Sequence, residues 1–277
     1  MNILLVDGND KKSSEDYLKT GMLPQYDLYK EVLLKLSSTE INVCVIHPTW
    51  TENFMEIGSN LDDFEGVVWT GSALNIYDSK LIIQRQIDLA KVLLGKKNKM
   101  FGSCWGLQVL VTAAGGKVRK NPKGLEAIIA KNIQLNDAGI KHPMYTDKPK
   151  NFDSFCWHYD EVELLPENSI ILASNNFSDF QSMSFIRNKS EVWGVQYHPE
   201  FNPDWISGLM LMRKSVLIEK KIYQSEKEFL NIYDYLFNTQ KIEQLSYNNF
   251  DISDTLIEER IRYREIDNWL KYLKTSF

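Results

Sequence analysis

The chain has 277 residues, of which 32 are basic and 37 acidic, giving a formal net charge of −5. No basic block is present to predict a nucleic-acid partner, and no apolar run is long enough to predict a membrane span. The first residues do not resemble a signal peptide and the three cysteines lack CxxC spacing, so we expect a cytoplasmic protein without a disulfide framework or a zinc site.

Short apolar segments alternate with amphipathic ones in the first part of the chain. The apolar segments predict strands at 3–6, 41–46, 66–69 and 99–101. Apolar residues at helical spacing predict helices at 26–36 and 78–94. This alternation indicates an α/β fold built on a mostly parallel sheet.

The polar segment 8–25 interrupts this pattern directly after the first strand. It contains Gly21 and Pro24, so it is predicted to be a solvated loop insertion rather than a catalytic lid. A loop that follows a parallel strand overhangs the edge where ligands bind in such folds. The segment is therefore also a candidate wall for a substrate pocket.

The second half of the chain predicts short strands and then a helical tail. Strands are predicted at 128–133, 170–173, 183–186 and 192–195, and they add an antiparallel part to a parallel sheet that carries helices on both faces. We expect a catalytic domain at 1–221 and a C-terminal helical extension at 222–277.

Two groups of apolar residues in the tail recur at helical spacing. They are Phe229, Ile232, Tyr233 and Leu236, and then Ile266, Trp269, Leu270 and Leu273. Thr255 and Glu258 have the spacing of a capping box before the last helix. The apolar faces could cover the parent domain, a second copy of the chain or a synthase partner, and the sequence does not choose among them.

Cys104 lies where a strand is predicted to turn into a helix. Backbone N–H groups at a helix start favour a thiolate, so this position suits a nucleophile. Gly102 and Gly106 flank it, as a tight turn without room for side chains would require.

A candidate base occurs in the segment that follows the last predicted strand. Pro199 favours an extended conformation for His198, so His198 and Glu200 point to the same side. A carboxylate in this position can hold the imidazole in one tautomer while the other nitrogen transfers a proton. Taken singly, Cys104 and His198 are each more typical of a structural residue. Their occurrence together predicts a nucleophile and its base.

Several stretches resemble the class I (triad) glutamine amidotransferase family, in particular free-standing relatives of the amidotransferase domain of GMP synthase. They are GSCWGLQ at 102–108, GVQYHPEF at 194–201, VVWTGS at 67–72 and WHYDEV at 157–162. The resemblance covers roughly residues 2–215. It implies a flavodoxin-like sheet, a Cys104–His198–Glu200 triad and no metal or other cofactor.

The same resemblance implies roles for residues around the triad. The backbone N–H groups of Gly71 and Trp105 would bind the oxyanion. Gln108 and the backbone around Tyr159 and Asp160 would lie near the bound glutamine, and Ser72, also a candidate substrate-binding residue, would lie close to the oxyanion loop. His158 lacks a neighbouring Pro-Glu, so we assign it a supporting role in the substrate site rather than that of the base.

Three functions are compatible with these residues. The first is a glutaminase that passes ammonia from glutamine to a separate acceptor enzyme, since the sequence contains no glycine-rich loop for a synthetase nucleotide. The second is a stand-alone hydrolase of other γ-glutamyl amides through the same thioester. The third, a binding protein without turnover, is disfavoured by the intact Cys104, His198 and Glu200.

Overall fold

The computed structural model describes residues 1–55, 60–96, 98–237 and 253–275. The strands are β1 (Asn2–Val6), β2 (Asn42–Ile46), β3 (Gly66–Trp69), β4 (Lys99–Ser103), β5 (Lys117–Lys120), β6 (Glu126–Leu135), β7 (Asn151–His158), β8 (Asp160–Leu164), β9 (Ser169–Ser174), β10 (Ser182–Arg187) and β11 (Ser190–Val195). The helices are α1 (Lys11–Lys19), α2 (Gln25–Leu36), α3 (Leu81–Leu94), α4 (Trp105–Ala113), α5 (Asp137–Lys141), α6 (Pro203–Met212), α7 (Lys214–Glu219), α8 (Glu226–Phe237), α9 (Asp254–Ile257), α10 (Glu259–Arg262) and α11 (Arg264–Lys274).

Nine of the described strands form one sheet in the order β2-β1-β3-β4-β11-β10-β9-β6-β7. The first five are parallel, and the remaining pairs are antiparallel. In the β4–β11 pair, Gly102 lies opposite Gly194 and Ser103 opposite Val195. The register therefore brings the chain after β11 beside the chain after β4, which is where Cys104 and His198 follow.

Alternating residues of β1 separate the two faces of the sheet. Ile3 and Leu5 pack with α2 and α11, whereas Leu4 and Val6 pack with α3 and α4. All four side chains are fully buried. A strand buried on both sides reads as a continuous apolar run, which is the pattern in the sequence. The predicted fold class, a mostly parallel α/β sheet with helices on both faces and C-terminal helices, is confirmed.

The prediction of a solvated loop at 8–25 was wrong, because part of this segment is helix α1. Asp10 caps the helix by accepting a hydrogen bond from the Ser13 N–H at 2.7 Å. Ser14 and Tyr17 are its buried residues. A helix that buries so few side chains leaves no apolar periodicity to detect in the sequence.

The capping box predicted at Thr255 was also wrong. Ser253 caps α9 instead, and its side chain accepts a hydrogen bond from the Thr255 N–H. The Thr255 hydroxyl donates to the Asp153 carbonyl and accepts from the Asp153 N–H, each at 3.0 Å. Thr255 thus attaches the C-terminal helices to strand β7, a long-range role that local spacing does not reveal.

The C-terminal helices pack on the same body as the sheet. Phe229 and Leu236 of α8 share a buried cluster with Phe201 and Trp205, and Trp269 of α11 contacts Phe101 edge-on. The domain boundary at residue 221 stays a prediction. No helix in the described ranges has both the length and the apolar composition needed to cross a membrane.

A buried ion pair attaches α11 to the rest of the protein. The Lys148 ammonium donates to Glu265 Oε2 at 2.9 Å, and both side chains are at most 1% exposed. The other carboxylate oxygen accepts from the Tyr197 hydroxyl at 2.7 Å. Because Tyr197 immediately precedes His198, this pair also anchors the segment that carries the candidate base.

Replacing Lys148 with methionine is expected to lower the free energy of unfolding by about 3–5 kcal/mol, because it leaves the Glu265 carboxylate buried without its cation. The control is Lys35→Met, which breaks the Lys35–Glu259 pair between α2 and α10, where both side chains are about half exposed. Exposed pairs contribute little, so this loss should be much smaller. Urea denaturation measures both, and equal losses would contradict a special role for the buried pair.

Candidate active site

Cys104 occupies a sharp elbow between β4 and α4. Its φ of +51° and ψ of −104° lie outside the regions that non-glycine residues normally adopt. The Cys104 N–H donates to the Val195 carbonyl at 2.7 Å, and its own carbonyl accepts the first bond of α4 from Gln108. The elbow is thus held by hydrogen bonds on both sides, as strained functional residues require.

The flanking glycines allow this elbow to pack tightly. A Cβ at Gly102 would lie 2.7 Å from the backbone of Gly106, and a Cβ at Gly106 would lie 2.4 Å from the Trp69 carbonyl oxygen. Both distances are shorter than any normal contact. The absence of side chains at 102 and 106 therefore lets α4 start directly against β3 and β4.

His198 and Glu200 form a buried pair in the segment after β11. His198 Nδ1 lies 2.7 Å from Glu200 Oε1, and the side chains are 2% and 0% exposed. The Phe201 ring stacks on the imidazole with centroids 3.9 Å apart and planes 3° apart. The ring is thus fixed by its edge and its face, with Nε2 left for proton transfer.

Gly71 lies against the Cε1–Nε2 edge of the imidazole. A Cβ at this position would be 2.4 Å from His198 Cε1 and 2.7 Å from Gln25 Oε1. Any side chain there would displace the histidine. Trp105 is the first residue of α4, so its N–H has no acceptor within the helix.

One cavity contains most of the side chains predicted for the site. It is lined by Cys104, His198, Ser72, Gln108, His158, Tyr159 and Asp160 among others. Glu200 lies behind His198, and neither Gly71 nor Trp105 is part of the lining. The structure therefore brings the nucleophile and the imidazole to one opening, with the carboxylate away from it.

Burial controls the ionisation of the nucleophile. It raises the pKa of the Cys104 thiol well above its usual range, and the negative charge of Glu200 raises it further, while the Trp105 N–H acts in the opposite direction. The sequence predicts that the helix start favours the thiolate; burial outweighs that effect. The thiol must therefore lose its proton as it reacts, which requires a base.

His158 is not available as that base. Its Nε2 lies 2.8 Å from Glu126 Oε2, and its Nδ1 lies 3.0 Å from the Asp160 carbonyl oxygen. Glu126 also accepts hydrogen bonds from Gln181 and Asn175, each at 2.7 Å. Both ring nitrogens are thus occupied in a buried network that supports the cavity wall.

The remaining predicted polar residues also have partners. Asp160 accepts a hydrogen bond from the Tyr77 hydroxyl at 3.0 Å, and burial raises the pKa of its carboxyl. The Gln108 amide donates to Gln196 Oε1 at 3.3 Å, and the Ser72 hydroxyl accepts from the Leu74 N–H at 3.2 Å. These bonds fix the side chains that a substrate would meet.

Sequence reasoning missed several lining residues. They are Tyr17, Gln25, Ala73, Leu74, Asn75, Trp157, Phe201, Leu209, Arg213 and Val216. The position of segment 8–25 after β1 was the signal for Tyr17 and Gln25. No local sequence pattern predicts that Leu209, Arg213 and Val216 line the cavity. They lie there because of the orientation of α6 and α7.

The side-chain groupings that bind metal ions are absent from the described part of the chain. Residues 1–55, 60–96, 98–237 and 253–275 contain no group of three or more His, Cys, Asp or Glu side chains that could hold an ion. The cavity lining includes the Cys104 thiol and the His198 imidazole, and the Glu200 carboxylate lies behind that imidazole.

Comparisons with known proteins identify the family of the chain. Residues 25–214 match the family described as glutamine amidotransferase class-I. The chain is 31% identical, over 99% of its own length and 93% of the relative, to γ-glutamyl-L-1-hydroxyisopropylamide hydrolase of a Pseudomonas species. It is 30% identical to γ-glutamyl peptidase 4 of Arabidopsis thaliana over 52% of this chain and 57% of that one.

Two further similarities concern amidotransferases. The chain is 36% identical to the glutamine-hydrolysing GMP synthase of Thermosipho melanesiensis, over 36% of this chain and 18% of that enzyme. A solved glutamine amidotransferase of Thermotoga maritima superposes with a TM-score of 0.66 over 99% of this chain and 98% of its own, at 15% identity. At 15% identity, the similarity to the Thermotoga maritima structure shows a shared fold only.

Proposed function

Because this chain belongs to the class I glutamine amidotransferase family and is thus an enzyme of the amide hydrolase and amidotransferase type, we propose that it hydrolyses γ-glutamyl amides through a thioester on Cys104. The observation that carries this proposal is the shared cavity. Cys104 and the His198 imidazole line the same opening, and Glu200 bonds the far nitrogen of that imidazole.

The first half of the proposed reaction forms the thioester. Cys104 Sγ attacks the side-chain carbonyl carbon of the γ-glutamyl group as His198 Nε2 takes the thiol proton. The tetrahedral intermediate collapses with cleavage of the C–N bond, and the same proton passes from His198 to the departing nitrogen. The products are a free amine and a γ-glutamyl thioester.

The second half releases glutamate. A water molecule gives one proton to His198 and attacks the thioester carbonyl; the C–S bond then breaks and Cys104 recovers its proton. In both halves the oxyanion would be bound by the backbone N–H groups of Gly71 and Trp105. Ser72, Gln108, Tyr159 and Asp160 would contact the glutamyl portion, with His158 supporting that wall.

Two observations favour γ-glutamyl amides over glutamine alone. The match to the Pseudomonas hydrolase extends over nearly the full length of both chains, whereas the match to the Thermosipho melanesiensis GMP synthase covers 36% of this chain and 18% of that enzyme. The lining of the cavity also includes Tyr17, Leu209 and Val216, a largely apolar group of side chains that suits an alkyl substituent on the amide nitrogen. Ammonia delivery to a synthase is the second candidate, supported by the similarity to GMP synthase.

Kinetics with paired substrates test the proposal. We expect glutamate release from a simple γ-glutamyl alkylamide with a kcat/KM about 10- to 200-fold higher than from glutamine, since a few buried alkyl carbons add about 1–3 kcal/mol. Glutamine hydrolysis without alkylamide hydrolysis would instead indicate the ammonia-supplying function. Failure to turn over either substrate would overturn both enzymatic functions.

A further inference from the structure

The leaving amine of the proposed reaction must depart beside His198, because His198 Nε2 protonates its nitrogen. The residues beyond the imidazole on that side form an aromatic series. Phe201 stacks on His198, Trp205 stacks on Phe201 at 4.0 Å, and Tyr17 lies 5.4 Å from Trp205. Of these, Phe201 and Tyr17 line the cavity. In the proposed reaction this aromatic wall would therefore adjoin the amine portion of the substrate.

The same wall continues along α6 and α7. Leu209, Arg213 and Val216 follow Trp205 at intervals of three or four residues, so they share one side of this helical segment, and all three line the cavity. Leu209 and Val216 are apolar, and Arg213 is the cation among them. The subsite thus combines an apolar surface with a single positive charge.

Arg213 has no partner within the protein to explain its position. In the ranges that the structure describes, no hydrogen bond or ion pair involves its guanidinium, although the residue is half-buried. The Asp16 carboxylate is hydrogen-bonded by the Lys19 ammonium at 2.8 Å, which lowers the pKa of Asp16; the positive charge of Arg213 contributes to this lowering, but Arg213 does not hydrogen-bond Asp16. A half-buried guanidinium without a counter-ion is suited to a planar anion from outside the protein.

We propose that Arg213 binds a carboxylate on the amine portion of the substrate, so that the preferred substrates are γ-glutamyl amino acids or peptides with an apolar residue after the glutamyl group. This inference rests on the proposed function of the cavity. It refines it by separating peptide-like substrates from neutral amides, which present no anion to Arg213.

Two substrates that differ in one group test this inference. γ-Glutamyl-alanine carries a carboxylate where γ-glutamyl-L-1-hydroxyisopropylamide carries a CH₂OH group. We expect Arg213→Gln to lower kcat/KM for the first by about tenfold or more and to leave the second nearly unchanged, since a charge-assisted hydrogen bond is lost only with the carboxylate. Retained turnover of the neutral amide also shows that the variant is folded.

Two further variants complete the comparison. Arg213→Lys should recover part of the activity on γ-glutamyl-alanine, because it keeps the charge but loses the bidentate geometry. Lys214→Gln is the matched control, since it removes a neighbouring cation that pairs with Glu226 outside the cavity. It should affect neither substrate.

The outcomes separate this inference from the proposed function. Equal losses on both substrates would assign Arg213 to the glutamyl portion and overturn the inference, as would no loss on either. Calorimetric binding of γ-glutamyl-alanine to the Cys104→Ala protein, with and without Arg213→Gln, gives the answer independently of turnover. Binding that weakens about tenfold supports the Arg213 contact even if hydrolysis is absent, and unchanged binding overturns it.

Discussion

Replacement of Cys104 by alanine is expected to lower the rate of γ-glutamyl amide hydrolysis by about 10⁶-fold, since removal of the nucleophile from a comparable hydrolytic triad has an effect of that size. Among the described residues that line the cavity, Cys104 carries the single thiol. Glutamate release measured under saturating substrate checks the prediction, and mass spectrometry of the quenched enzyme should show a glutamyl adduct in the wild type alone.

Cys156 provides the matched control. It is fully buried in β7, packs in the main core, and burial raises the pKa of its thiol. Cys156→Ala should lower stability through the lost packing while kcat stays close to the wild-type value. If Cys156→Ala abolished turnover or Cys104→Ala retained it, the nucleophile would be misassigned.

Sequence patterns predicted the parts of this site that depend on neighbouring residues. The elbow at Cys104 follows from a strand, two glycines and a helix in immediate succession, and the pairing of His198 with Glu200 follows from the extended backbone at a proline. The continuous apolar character of β1 likewise predicted a strand buried on both faces. In each case the relevant contacts form within a few residues or arise from simple periodicity.

The parts that the sequence did not predict depend on contacts between distant segments. His158 is held by Glu126, which lies 32 residues away, and Arg213 reaches the cavity through the direction of α6 and α7. The protonation state of the Cys104 thiol also depends on distant segments. A helix start predicts a thiolate, but the burial that opposes it comes from the whole fold. Local sequence patterns thus indicate the candidate reacting groups, whereas tertiary packing determines their burial and the residues that surround them.

This protonation state makes the base and its carboxylate essential. A buried neutral thiol can attack only if His198 accepts its proton, which creates an imidazolium inside the protein. Glu200 is fully buried and its Oε1 lies 2.7 Å from His198 Nδ1, so the carboxylate is placed to stabilise the imidazolium that the proposed reaction forms.

Glu200→Gln is consequently expected to lower kcat by about 10⁴-fold, because an amide neither stabilises the imidazolium nor enforces the tautomer with a free Nε2. Glu200 is not among the residues that line the cavity, so its replacement should change KM little. A retained KM with lost kcat would distinguish a defect in proton transfer from a misfolded elbow.

The second buried histidine–glutamate pair supplies the control. His158 and Glu126 approach as closely as His198 and Glu200, at 2.8 Å against 2.7 Å, but both nitrogens of His158 are occupied. Glu126→Gln should therefore lower the free energy of unfolding and affect kcat far less than Glu200→Gln. Equal losses of kcat would mean that both carboxylates act through the structure of the cavity, and a loss below tenfold in Glu200→Gln would remove Glu200 from the triad.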